Sequence, residues 1–105
     1  MVKEVFQELD KMFTNSPYLH LGGDEVFSSC WDKRPAIKDF MASKNIKTYG
    51  ELQMYWRKEL KSVLSSSRKV VFWRNDGHDI TTAADEVVQY WGSQADTSKC
   101  TIEFI

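Results

Sequence analysis

The chain is poor in the features that mark disulfide-stapled, membrane-spanning or nucleic-acid-binding proteins. It has two cysteines, Cys30 and Cys100, in 105 residues, and two are too few to define a disulfide framework. Lysine and arginine number 14 against 15 aspartate and glutamate, giving a net charge of −1 with the signs interspersed. Without a basic stripe to neutralise phosphates, no nucleic acid is expected as a partner. No apolar run approaches the ~18 residues of a membrane span, and no Asn-x-Ser/Thr acceptor is present, since Pro17 occupies the third position of the triplet Asn15-Ser16-Pro17. What remains is 42% hydrophobic and 13% aromatic. That is globular composition with one domain's worth of length and a modest core.

Taken in order, Val2, Val5, Phe6, Leu9, Met12 and Phe13 form one apolar stripe at helical spacing. The spacing predicts a helix that packs on something, and Pro17 with its predecessors breaks it. The run Tyr18-Leu19-His20-Leu21 then alternates as a strand and stops at Gly22-Gly23, where positive φ becomes available. Asp24 and Glu25 follow, and Val26 and Phe27 resume apolar character at once, so the acids are expected against a packed wall. Residues 28–33 read as loop, in which Trp31 serves either packing or the rim of a site.

Pro35 opens a short helix with Ile37, Phe40 and Met41 on its buried side. Thr48 with Glu51 gives a capping-box pattern for a longer helix. Leu52, Tyr55, Trp56, Leu60, Val63 and Leu64 are its periodic face, and the aromatic pair is expected to pack on a sheet. Two runs, Lys69 to Trp73 and Val87 to Trp91, have the continuous apolar, β-branched and aromatic character of strands buried on both faces. Each ends at a polar or small-residue turn. Two helices between the first and second strands suit a right-handed crossover. Between Trp73 and Val87 the connection is barely long enough for a parallel crossover, and a hairpin is the alternative.

His20-Leu21-Gly22-Gly23-Asp24-Glu25 at a strand end resembles the signature of glycoside hydrolase family 20, the β-N-acetylhexosaminidases. Cys30-Trp31, Pro35 with Ile37, Phe40 and Met41, and the strand-terminal Trp73 and Trp91 extend the resemblance to the eukaryotic, lysosomal-type branch over essentially the whole chain. It implies an α/β fold, a partial (β/α)8 TIM barrel running from the third helix through the sixth strand, with 101–105 starting a seventh. A full barrel takes ~250 residues, so residues 1–105 are expected to be a fragment of the catalytic domain. A lysosomal or secreted parent is implied, its targeting sequence upstream of this chain, because the acid-containing start is unlike a signal peptide.

The chemistry follows from the acids and from the resemblance together. Cleaving a glycosidic bond needs an acid for the leaving oxygen and stabilisation of an oxocarbenium-like centre. Adjacent carboxylates at one strand end are poorly placed to flank a sugar from opposite faces. The resemblance implies substrate assistance instead, with the 2-acetamido carbonyl attacking its own anomeric carbon. Glu25 would be the general acid and then base, and Asp24 would orient the acetamide. Trp73 and Trp91 would wall the acetamido pocket. His20 is either a satisfied core group or a hydrogen-bonding residue beneath the acids, and His78 lies in a polar loop.

The expected substrates are N-acetylglucosamine or N-acetylgalactosamine glycoconjugates, with no cofactor. Arg74 and Asn75 stand where lysosomal-type relatives often carry acidic or amide residues, which leaves aglycone preference open. The family's sugar-binding arginine, its upstream aspartate and histidine and its later tyrosine and tryptophan lie outside the chain, so little or no turnover is expected from these residues alone. Unpaired sheet edges favour self-association or a dimer, and a non-catalytic carbohydrate-binding or interaction fragment is the rival reading. A metal held by His20, Asp24 and Glu25 is a third, weakened by the lack of a second histidine at helical spacing. Both cysteines are expected as free, partly buried thiols; in lysosomal-type relatives the cysteine of Cys-Trp pairs with one upstream.

Overall fold

A computed structural model describes residues 1–74 and 83–90. Helix α1 spans Val2–Met12, strand β1 Tyr18–His20, helix α2 Pro35–Ser43 and helix α3 Tyr49–Lys61, followed by strands β2 at Lys69–Arg74 and β3 at Glu86–Tyr90. The strands form one sheet in the order β1-β2-β3, and both pairings are parallel. The short β2–β3 connection is therefore a crossover and the hairpin alternative is excluded. Asn75, His78, Trp91, Cys100 and 101–105 lie outside the described residues, as does most of the connection after β2.

Parallel register sorts the side chains into two faces. Pairing of Leu19 with Val70 and of Phe72 with Val88 puts these residues, with Glu86, on one face. Pairing of His20 with Val71 and of Trp73 with Gln89 fixes the other. The core is built around β2 and β3, where Val70, Val71, Phe72, Val87 and Val88 are all buried, together with Leu60 of α3 and Met41 of α2.

Helix α3 covers the Phe72 face. Its start is fixed by Thr48, whose Oγ1 accepts the Glu51 N–H at 3.1 Å. The Glu51 carboxylate reaches one residue further back than a capping box requires and accepts from Lys47 N at 2.6 Å. The buried side of α3 is Gln53, Arg57 and Leu60, spaced i, i+4 and i+7, and not the face centred on Leu52, Tyr55 and Trp56. Trp56 is 47% exposed, and Tyr55 packs edge-on against Phe40 of α2, with ring centroids 5.5 Å apart. The aromatic pair thus meets a neighbouring helix and solvent where the sequence suggested the sheet. Lys61 donates to Glu86 at 3.1 Å and to Asp85 at 2.8 Å, which neutralises a carboxylate that is almost wholly buried.

Two other expectations change. Residues Ser28–Lys33 form a 3-10 helix where the sequence reads as loop; Trp31 within it stacks edge-on against Tyr49 at 5.4 Å. Helix α1 has the expected stripe but buries none of it fully: Phe6 and Leu9 are half-buried, while Val5 and Met12 are 52% and 69% exposed. Its attachment is polar. Arg68 ties it down by donating to Asp10 Oδ1, to the Asp10 and Phe13 carbonyls at 2.8 Å each, and to the Ser16 carbonyl. At its other end Lys3 pairs with Glu59.

Candidate functional site

All three strands point the same way, so their C-terminal ends share one edge of the sheet, and in parallel α/β sheets that edge is where ligands bind. Beyond the end of β1 the chain leaves the ladder through two glycines at positive φ, Gly22 at 72° and Gly23 at 92°. Asp24 and Glu25 sit on the resulting turn, both exposed. The packed wall expected beside them is only partly there: Val26 is half-buried, whereas Phe27 is 73% exposed. Glu25 itself has φ 49°. A non-glycine residue in the left-handed region carries of order 1–2 kcal/mol of strain, and such strain gathers at functional sites.

Three elements hold this turn. From β2, the Trp73 N–H donates to the Gly22 carbonyl at 3.0 Å, and the Leu21 N–H reaches the Val71 carbonyl at 2.8 Å. From α3, Gln53 Nε2 donates to the Gly23 carbonyl at 3.4 Å. From β1 itself, His20 Nδ1 accepts the Gly22 N–H at 2.9 Å. Gly23 also lies against Arg57, whose guanidinium stacks over the Phe72 ring at 4.1 Å from its centroid. Arg57 so places a buried positive charge behind the turn.

Glycine at these two positions has different physical reasons. A Cβ at Gly22 would meet nothing within 4 Å, and only the backbone angle objects. At Gly23 a Cβ would stand 3.4 Å from Arg57 Nη2 and 3.6 Å from Phe72 Cδ1, at a φ of 92° that L-residues rarely adopt. Gly22→Ala is therefore expected to cost roughly 1 kcal/mol and Gly23→Ala roughly 2–3 kcal/mol. Urea unfolding of the two variants checks the order.

His20 and Trp73 come together on the face away from α3, with ring centroids 4.7 Å apart and planes tilted by 49°. Burial pushes the His20 imidazole below its ordinary value, against the opposing influence of Gln89 and of the Asp24 charge. The ring is thus neutral near pH 7, with the accepting nitrogen free of its proton. Trp91 falls outside the described residues. Cys30 is a free thiol, more exposed than expected. Among the described residues no three His, Cys, Asp or Glu side chains gather as metal ligands, and no helix is long and apolar enough to cross a membrane.

Gln53 and Arg57 are the site residues that the sequence reading missed. A signal was available, because Gln53, Arg57, Leu60 and Leu64 complete an i, i+4, i+7, i+11 face in which the first two members are polar. A cavity of about 600 Å³ opens beside them on the α3 side, lined by Leu21, Trp31, Phe40, Tyr55 and Trp56 among others. It faces away from His20 and Trp73.

These features define an α/β segment that presents a carboxylate pair at the C-terminal edge of a parallel sheet. The chain belongs to glycosyl hydrolase family 20: the model of that family's catalytic domain matches residues 1–103. Beta-hexosaminidase subunit alpha of Rattus norvegicus is 33% identical over 88 residues, which are 82% of this chain and 16% of that protein. Beta-hexosaminidase subunit beta of Homo sapiens is 29% identical over 93 residues, 86% of this chain and 16% of the relative. The X-ray structure of Flavobacterium johnsoniae chitobiase superposes with a TM-score of 0.59 at 26% identity, covering 86% of this chain and 15% of that one. The chain thus spans less than one fifth of the length of these curated relatives.

Proposed function

We propose that residues 1–105 are part of the (β/α)8 barrel of a β-N-acetylhexosaminidase, from its third helix through its sixth strand, and supply that enzyme's acid-bearing strand end. The observation that carries this reading is the turn after β1, where two positive-φ glycines place Asp24 and Glu25 beyond the sheet edge. The names of the relatives, β-hexosaminidase subunits, support a terminal N-acetylglucosamine or N-acetylgalactosamine residue as substrate. The branch of the family that the chain resembles supports a lysosomal or secreted parent.

In this mechanism Asp24 accepts a hydrogen bond from the acetamide N–H and turns the carbonyl oxygen toward the anomeric carbon. That oxygen forms a bond to the carbon as the glycosidic bond breaks, and Glu25 gives its proton to the departing oxygen. The charge of Asp24 offsets the positive charge that spreads over the oxazolinium ring. Water then attacks the anomeric carbon as that carbon's bond to the acetamido oxygen breaks and the acetamide is restored; Glu25 takes the water's proton, and the product keeps the starting configuration. Holding the acetamide in line is an effective-molarity effect. Trp73, with Trp91, would exclude water from the intermediate, and His20 would stand beside them.

The test is a titration of the chain with a thiazoline analogue of N-acetylglucosamine, which mimics the cyclised intermediate, followed by backbone amide shifts. Saturable shifts at Asp24, Glu25, Trp73 and Trp91 are the expected result. A folded spectrum that does not respond would leave this chain as scaffold. The exposed stripe of α1 favours a second role as an interaction fragment, because an apolar helix face left in water promotes association. Self-association, read as mass in solution, is its signature.

A further inference from the structure

We infer that His20 is a positioning residue, and that its neutral imidazole, with the proton on Nε2, sets the conformation of the acid-bearing turn by accepting the Gly22 N–H. The inference rests on the proposed roles of Asp24 and Glu25, and it adds a cause for where those carboxylates stand.

Gly22 is where β1 stops being a strand. Its carbonyl still belongs to the sheet, through Trp73 N–H, but its φ of 72° takes its own N–H out of the ladder. A backbone donor in a half-buried position needs an acceptor, and the side chain two residues earlier supplies one at 2.9 Å. The imidazole so does what an aspartate or asparagine does in an Asx turn, bonding the backbone two residues on.

An imidazole can do this in only one state. Accepting at Nδ1 requires that nitrogen to be unprotonated, which puts the single ring proton on Nε2. The Trp73 ring restricts swivelling on one side, and the Gln89 side chain lies beside the ring. Nδ1 is the nitrogen that engages the backbone, while Nε2 is buried and makes no hydrogen bond of normal geometry. A core histidine with a purely packing role would have no need of a particular tautomer. Here the tautomer fixes Gly22, and Gly22 leads through Gly23 into Asp24 and the left-handed Glu25.

Long-range nitrogen–proton spectra of the histidine rings report the tautomer directly, and hydrogen exchange reports the Gly22 amide. The chain is compared with His20→Phe, which keeps a ring against Trp73 but has no acceptor, and with His20→Asn, whose Oδ1 can stand in for Nδ1. The expected result is a proton on Nε2. Gly22 exchange in His20→Phe should be roughly tenfold faster, the size of one lost hydrogen bond, with Val88 unchanged. His20→Asn should restore both the Gly22 protection and the amide shifts of Asp24 and Glu25. A proton on Nδ1, or equal Gly22 exchange in the chain and in His20→Phe, would overturn the inference. So would an asparagine variant that fails to restore protection. If His20→Phe does not fold, the tautomer and the asparagine variant decide. None of these readouts needs the sugar analogue, so a failed analogue titration with a positive His20 result counts against the proposed activity alone.

Discussion

Arg68→Ala is expected to release α1 from the rest of the molecule, at a cost of about 3 kcal/mol or more, because removing one partner strands a shielded charge and several backbone carbonyls. The Arg68 and Asp10 side chains are only 4% and 12% exposed, which places the pair in the regime where such losses are large. One guanidinium serves Asp10 twice, Phe13 and Ser16. Although α1 buries no side chain fully, the half-buried Phe6 and Leu9, the Lys3–Glu59 pair and the Ser65 N–H on Asp10 are what remains to hold it. Hydrogen exchange along Val2–Met12 should collapse toward the unprotected rate while β2 and β3 keep their protection. Arg68→Lys is expected to recover only a minor part, as an ammonium cannot fork to the same acceptors.

Acid should reproduce the effect in the unaltered chain. The Arg68 hydrogen bonds, helped by the Ser65 N–H, hold the Asp10 carboxyl below its ordinary value of 3.8. A carboxyl depressed in the folded state contributes stability above its unfolded value and loses it as pH falls through the folded one. The contribution of this pair is therefore complete near neutrality and fades below pH 3.8. In Arg68→Ala that acid limb should be missing from the stability profile.

The second large effect is on binding. Asp24→Ala is expected to weaken the thiazoline analogue roughly 100-fold, the upper range for a hydrogen bond to a charged group at about 3 kcal/mol. Both the acetamide contact and the charge facing the ring would be lost. Glu25→Gln is expected to leave analogue affinity near that of the unaltered chain, because the acid serves the leaving group and the analogue has none. A reversed order of the two variants would exchange the roles assigned to the two carboxylates. Equal, small effects in both would remove the acetamido pocket from this part of the sheet.

Much of the fold was legible because periodicity reports faces. Helices α1, α2 and α3 and all three strands lie close to where apolar spacing, Pro35 and Thr48 put them. Periodicity does not say what a face meets. The stripe of α1 packs only through the half-buried Phe6 and Leu9 and leaves Val2, Val5, Met12 and Phe13 exposed, and the buried side of α3 turns toward Gln53 and Arg57, away from Tyr55 and Trp56. Arg57 could be buried because it lies on the Phe72 ring beside a glycine, a circumstance set by β1 and β2 and invisible within α3. The 3-10 helix at Ser28–Lys33 has too short a run to show a period. At the site, Gly22-Gly23 before two acids gave away the turn, while the clamp made by His20 depends on a side-chain direction that spacing does not reveal.

The parallel order of the strands also sets a sequence in time. Strands β2 and β3 are separated by the 11 residues 75–85, whereas β1 and β2 are separated by the 48 residues 21–68, which include two helices. Closing the longer loop costs more chain entropy, and non-local parallel pairings are the slow ones. The valine-rich β2–β3 pair is thus expected to form first, and the strand that leads into Asp24 and Glu25 to be zipped on after it. By microscopic reversibility it is also the first to leave. The acid-bearing turn then occupies the least durable edge of the described sheet, and agents that grip β1 would lengthen the lifetime of the candidate site more than agents that fill the core.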